Sequence, residues 1–344
     1  MSSITLQDNT VISDYGFQYF VAEVNSSHNG NTETAKKMID AAVNAGFNCV
    51  KFQSWSINSL YSKSYYKENP IAKRFVDRFS MTPDQLKEMA KYCMQKGIGF
   101  SSTPYSKEEV DFLVEECNVP FIKIASMEIN NLDILRYIGE KQVSIVLSTG
   151  MAEMEEIRLA IKVLESSGNK RIALLHCVSI YPSETKTINL NNIIGLRDEF
   201  PEYPIGFSDH TLGDIAAIGA TALGAAIIEK HITLDSKKIG MDNSMAMEPD
   251  DLKVLIDRCR MVNIALGSKK RMVLEKEYNQ RKIMRRSIIA TRDIPSGTIL
   301  IREDLAAKRP GTGIPPENME KLIGKKVNRD IEEDTLIFSE DIKE

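Results

Sequence analysis

Between about residue 17 and residue 266 the chain alternates short apolar runs with longer amphipathic stretches, and it does so eight times. The runs are FQYFVAEV, CVKFQ, IGFSS, FIKIAS, SIVLSTG, RIALLHC, IGFSDH and AAIIEKHIT. Between them, stretches such as TETAKKMIDAAVNAG (32–46) and TPDQLKEMAKYCMQKG (82–97) repeat apolar residues at spacings of three and four. That spacing marks a helix with one buried face. Eight β–α units in about 250 residues are the size of a closed (β/α)₈ TIM barrel. Strands that read as nearly unbroken apolar runs fit a sheet covered on both faces. The competing fold, a doubly wound open sheet, would carry a glycine-rich first turn for a nucleotide. No GxGxxG follows the first run.

The alternation stops near residue 268. Residues 269–286 carry eight Lys or Arg against two Glu. Short β-like segments split by turn signals follow, as in RSIIATRDIPSGTIL and KRPGTGIPP. The expected organisation is a barrel over 1–267, a basic linker over 268–284 and a small, mostly β domain over 285–344. A basic run of this kind is a solvated linker or an arm laid across an anionic pocket or a partner subunit.

Composition narrows the partners. The formal net charge is −4, which argues against nucleic acid or a membrane surface. IGATALGAAII (218–228) is too short to span a bilayer. The first sixteen residues have no cationic start followed by an apolar run. The five cysteines are odd in number and contain no CxxC pair, so buried thiols in a reducing, cytoplasmic compartment are expected.

All four histidines fall at or just past the end of an apolar run: His28, His176, His210 and His231. Lys51 and Lys123 lie within two others. In a barrel those ends form one rim, where such folds build their active sites. His210 and His231 close the last two strands, which are neighbours in a barrel. Two imidazoles there can share a divalent ion and leave positions open for substrate and water. Asp209 and Glu229 flank the pair and are expected to orient the rings or hold metal-bound water. The alternative is two hydrogen-bonded rim histidines. Lys51 and Lys123, with hydroxyls from Ser126, Ser148, Thr149 and Ser208, suit a phosphate or carboxylate. A lysine inside an apolar strand is costly without an anion; the alternative is a salt bridge to Glu23 or Glu128. Those two carboxylates are themselves acid–base or water-orienting candidates. A metal beside an anion site suits carbon–carbon bond formation or cleavage, isomerisation, or hydrolysis of a phosphorylated compound, and the residues alone do not choose among them.

The ordered motifs go further. AEVNSSHNGNTETAKKMIDAAVNAGFNCVKFQ (22–53), SSTPYS (101–106), PFIKIASMEINN (120–131), LSTGM (147–151), LLHCVSIYPS (174–183), GFSDHTLG (206–213), EKHITLD (229–235) and MEPDDL (247–252) together resemble the sialic acid synthase family. The C-terminal segment resembles that family's antifreeze-like (SAF) domain. The resemblance implies condensation of phosphoenolpyruvate with the open-chain aldehyde of an N-acetylmannosamine-type sugar, with loss of phosphate. It implies a divalent ion on His210 and His231, Mn²⁺ first, with Mg²⁺ or Co²⁺ as alternatives. It places Lys51, Lys123, Ser126, Ser148 and Ser208 on phosphoenolpyruvate, and Glu23 and Gln53 near the reacting centre. It places Glu128, Ser179, Tyr181 and Asp242 on the sugar side. It assigns Arg309 to a contact made by the small domain of one subunit with the partner's barrel, in a domain-swapped homodimer. Asn25, Ser26, Ser27, Ser179 and Asn243 depart from the family's common residues, all near the expected sugar pocket. Two other readings stay open: a related enzyme acting on a sugar phosphate, and a non-catalytic carbohydrate-binding protein.

Overall fold

The computed structural model describes residues 2–343. The eight expected strands form one parallel sheet: β3 (Tyr19–Glu23), β4 (Cys49–Gln53), β5 (Gly99–Thr103), β6 (Ile122–Ile124), β7 (Ile145–Ser148), β8 (Ile172–Cys177), β9 (Ile205–Asp209) and β10 (Ile227–His231). They are preceded by β1 (Ser3–Thr5) and β2 (Val11–Ser13). The order in the sheet is β5-β4-β3-β10-β9-β8-β7-β6. β5 and β6, at the two ends of that order, lie against each other, and Ser101 Oγ donates to Phe121 O at 2.9 Å across the seam. The sheet thus curls into the TIM-type barrel that the alternation predicts.

The helices begin and end where the sequence says. In the helix Thr32–Ala45, Asn31 caps the start by accepting from Thr34 N, and Gly46 ends it at φ 92°, a left-handed conformation that favours glycine. Thr82 and Gln85 form a reciprocal capping box at the start of Pro83–Lys96. Strand residues alternate between two cores. Phe20, Ala22, Val50, Phe52, Leu147, Leu174 and Ile228 pack outward under the helices. Tyr19, Val21, Cys49, Val146, Leu175 and Ile227 point into the barrel.

Two features were not expected. The polar N-terminus holds the antiparallel hairpin β1–β2, with Ile4 paired to Ile12. Ile4, Leu6 and Ile12 join the inward core. Ser144 Oγ donates to Thr5 O, Gln7 N to Pro120 O and Ile205 N to Asp14 Oδ1. These contacts fall at the N-terminal ends of β6, β7 and β9, so the hairpin closes the barrel floor. Next, two helices, Lys63–Glu68 and Pro70–Phe79, follow β4. Tyr66 and Val76 from them pack on Trp55.

The chain divides into two compact units, the first ending at Gly267 and the second beginning at Ser268. The span 268–284, read from sequence as a linker, carries a helix, Glu275–Met284, with no buried residue. The second unit pairs β11 (Ser287–Ala290) with β12 (Leu305–Lys308) in antiparallel fashion. Its own core includes Ile288, Ile294, Leu300, Leu305, Val327 and Ile337.

Candidate active site

Because side chains alternate along a strand, the inward set at the C-terminal ends is fixed once one member is known. Glu23, Lys51, Gln53, Thr103, Lys123, Ser148, Cys177, Ser208, Glu229 and His231 all line a single cavity of about 350 Å³. Ser126, Ser179, Tyr181, His210 and Asp242 reach it from the loops that follow the strands. Residues spread over more than two hundred positions therefore share one mouth, as the rim argument predicts.

Charge is concentrated at the bottom. Lys51, Lys123, Glu23 and Glu229 are each at most 3% exposed. Lys51 Nζ contacts Glu23 Oε2 at 2.5 Å, and Glu229 stands 3.8 Å from both Lys51 and Lys123. Lys123 donates to Ser148 Oγ at 2.7 Å. A charge-assisted hydrogen bond is about 2.8 Å long, so the Glu229 contacts are loose and each ammonium keeps a proton for another acceptor. Glu229 Oε1 accepts from Ser208 Oγ at 2.8 Å, while its buried Oε2 has no hydrogen-bond donor. Such an orphaned oxygen is rare in a finished interior and points to a group that arrives with the ligand.

The same contacts set the protonation states. Burial opposes charge on Glu229, but Lys123 and Lys51 outweigh it and hold its carboxyl at about 2. Burial lifts Glu23 above the ordinary carboxyl range, against the pull of Lys51. Burial opposes the Lys51 charge as well, yet Glu229 and Glu23 keep its ammonium above the usual lysine value. Lys123 is the exception: burial wins and lowers it. Gln53 ties Glu23 to the wall, donating to Glu23 Oε1 at 2.8 Å and accepting from Tyr105 OH at 2.9 Å.

The two histidines line the same cavity with ring centroids 5.1 Å apart. His210 Nδ1 meets Val178 O at 2.8 Å. A carbonyl there requires the Nδ1–H tautomer and leaves Nε2 as a lone-pair donor. His231 Nδ1 pairs with the Asp242 carboxylate, the arrangement that orients metal-binding imidazoles. The donor chemistry therefore fits a divalent ion held by two Nε2 atoms. Among the described residues no group of three or more His, Cys, Asp or Glu could hold a metal ion, so the remaining coordination positions would fall to substrate and water. Asn25 and Ser26 fix Asp242 in turn, Asn25 Nδ2 donating at 2.6 Å to the oxygen that pairs with His231 and Ser26 Oγ to the other.

The structure turns two candidates, Asp209 and Thr149, out of the cavity and places several others around it. Asp209 does not face the cavity. It is the residue between two inward positions, Ser208 and His210, so it points outward, to Lys230 at 2.8 Å. The carboxylate that orients a histidine is Asp242, from the loop after β10. Thr149 also turns away, its hydroxyl donating to Leu175 O. Glu128 lies outside the cavity lining and accepts from Asn131 Nδ2. His28 is buried outside the lining, accepting from Gly30 N and packing on Phe52. His176 holds a loop through Ile188 O at 2.6 Å. Arg309 is an exposed residue of the second unit, just past β12. Thr103, Tyr105 and Trp55 line the cavity and were not singled out as site residues; Glu229, expected to serve the histidines, instead stands between the two lysines and accepts from Ser208.

A barrel whose mouth joins a buried lysine pair to two neighbouring imidazoles defines a class, the barrel enzymes that work at the C-terminal ends of their strands. Within it, the chain belongs to the NeuB family, whose pattern it matches over residues 38–271, followed by a SAF domain over 285–343. It is 36% identical to the N,N′-diacetyllegionaminic acid synthase of Campylobacter jejuni, covering 92% of this chain and 98% of that one. It is 33% identical to human N-acetylneuraminate-9-phosphate synthase, covering 94% and 92%. The structure resembles the N-acetylneuraminic acid synthetase of Leptospira borgpetersenii, with a TM-score of 0.75 and 31% identity over 81% of this chain and 95% of that one.

Proposed function

We propose that the protein condenses phosphoenolpyruvate with the open-chain aldehyde of an N-acetylmannosamine-type sugar, forming a nine-carbon 2-keto acid and releasing phosphate. The observation that carries this reading is the lysine pair loosely bridged by Glu229, lining the same cavity as two neighbouring imidazoles. Lys51, Lys123, Ser126, Ser148 and Ser208 hold the phosphate and carboxylate of the enol substrate. A divalent ion on His210 and His231, Mn²⁺ first with Mg²⁺ or Co²⁺ as alternatives, would polarise the aldehyde as a Lewis acid. Carbon 3 of the enol attacks that carbonyl carbon, water adds at carbon 2, and phosphate leaves as the tetrahedral centre collapses. Glu23, tethered to Gln53, takes a proton from that water. Glu229 Oε2 accepts a hydrogen bond from it. Tyr181, Ser179 and Asp242 bound the sugar side.

The family resemblance further supports a domain-swapped homodimer in which Arg309 completes the partner's sugar site. Five free, buried cysteines support a reducing, cytoplasmic setting. No helix among the described residues is long and apolar enough to cross a membrane.

The test is incubation with phosphoenolpyruvate, Mn²⁺ and a panel of mannosamine-type sugars, including N-acetylmannosamine, its 6-phosphate and diacetamido-trideoxy hexoses. Sugar-dependent phosphate release supports the reading. Absence of release with every sugar overturns it.

A further inference from the structure

Behind the two histidines lies an ion pair that the reaction above does not use. Asp209 and Lys230 are 0% and 1% exposed, and Lys230 Nζ lies 2.8 Å from Asp209 Oδ2. They are register partners, Lys230 opposite Asp209, at the last paired position between β9 and β10. Each precedes one of the imidazole-bearing residues, His210 and His231. The network extends past His210: Lys230 Nζ also donates to Thr211 O at 2.7 Å. Asp209 Oδ1 receives both Thr211 N at 2.8 Å and Thr211 Oγ1 at 2.7 Å. The residues on both sides of His210 are thereby tied to the residue before His231.

The ladder between the two strands ends at this point. His210 O accepts from Ser183 N, and His231 O from Met247 N, so the two backbones turn to different loops where their side chains must converge. A buried ion pair is a poor source of stability, because desolvation offsets most of its attraction. Its established use is to fix geometry.

We propose that Asp209 and Lys230 form a positioning pair that sets the spacing and tilt of the His210 and His231 rings, and with them the affinity for the divalent ion. This rests on the two-histidine centre proposed above. Neither residue touches substrate or metal; both act through the backbone of their neighbours.

The experiment is a Mn²⁺ titration of the full chain, with free Mn²⁺ read by electron paramagnetic resonance and folding checked by thermal melts. The variants are His210→Ala, Asp209→Asn, the double change Asp209→Leu with Lys230→Met, and Asp14→Asn. The last disrupts another ion pair, between buried Asp14 and half-buried Arg197, at the opposite end of the barrel. Wild type should show a Mn²⁺ site that His210→Ala abolishes. Asp209→Asn and the double variant should weaken Mn²⁺ binding by roughly 10- to 100-fold, whereas Asp14→Asn should lose stability and keep wild-type affinity. Should both charge variants fail to fold, Thr211→Val removes only one donor to Asp209 and should still weaken binding several-fold. A folded Asp209 or Lys230 variant, or failing those Thr211→Val, that binds Mn²⁺ as wild type does would overturn the inference. Wild-type Mn²⁺ binding indifferent to His210→Ala would instead overturn the metal centre, and the inference with it.

Discussion

Lys123 is the residue on which binding and protonation meet. Burial lowers its pKa, and an incoming anion favours its charged form. Lys123→Met, which keeps the length and removes the charge, should lower kcat/KM for phosphoenolpyruvate by about 100-fold or more, measured as phosphate release at saturating sugar. His28 gives a different test. Burial lowers its pKa to about 4, so the folded protein keeps it neutral while the unfolded chain takes up a proton below its ordinary value of about 6.5. Stability is then full above pH 6.5 and falls as the pH drops toward 4, by roughly 3 kcal/mol in all. Denaturant unfolding of wild type and His28→Gln at pH 7 and pH 5 should show the variant losing less. What was legible at this scale followed strand alternation. Lys51, Lys123, Ser148, Ser208, His210 and His231 were found because they share a face and a strand end. Asp209 was misread because adjacency in sequence means opposite faces in a strand. Asp242 as the His231 partner was invisible because it arrives on an irregular loop that has no period to read.

The barrel elements were readable because their helices and strands have different apolar periods. The hairpin β1–β2 was not, since three-residue strands are too short for a pattern to stand out. A signal exists in hindsight: Asp8-Asn9 between Ile4, Leu6 and Ile12, with Asn9 at φ 67°, is turn chemistry flanked by alternating apolar residues. The hairpin is a structural plug, and Ile12 is 1% exposed within it. Ile12→Ala should cost about 2–5 kcal/mol in denaturant unfolding while leaving Mn²⁺ and phosphoenolpyruvate affinities unchanged, because the substitution lies at the floor and the site at the mouth. A change in those affinities would show that the plug communicates with the site.

Each unit of the molecule encloses its own hydrophobic core, so residues 1–267 expressed alone should retain a cooperative melt and near-ultraviolet circular dichroism. If Arg309 completes the sugar site, the same fragment should turn over sugar poorly while still binding phosphoenolpyruvate, as measured by calorimetry. The end of the helical period near 268 suggests the two-part division, but it could not foresee that the intervening stretch would fold a helix of its own with no buried residue. The floor closed by the hairpin has one more consequence. Lys51, Lys123, Ser126, Ser148 and Ser208, the residues proposed to hold the anion, are no more than 8% exposed, and Tyr181 and Met151 stand 50% and 69% exposed at the rim. If phosphoenolpyruvate takes the buried lysines and the sugar the exposed rim, the three-carbon substrate must enter before the sugar stands over it. Initial-rate lines should intersect, and an unreactive sugar analogue should inhibit uncompetitively against phosphoenolpyruvate.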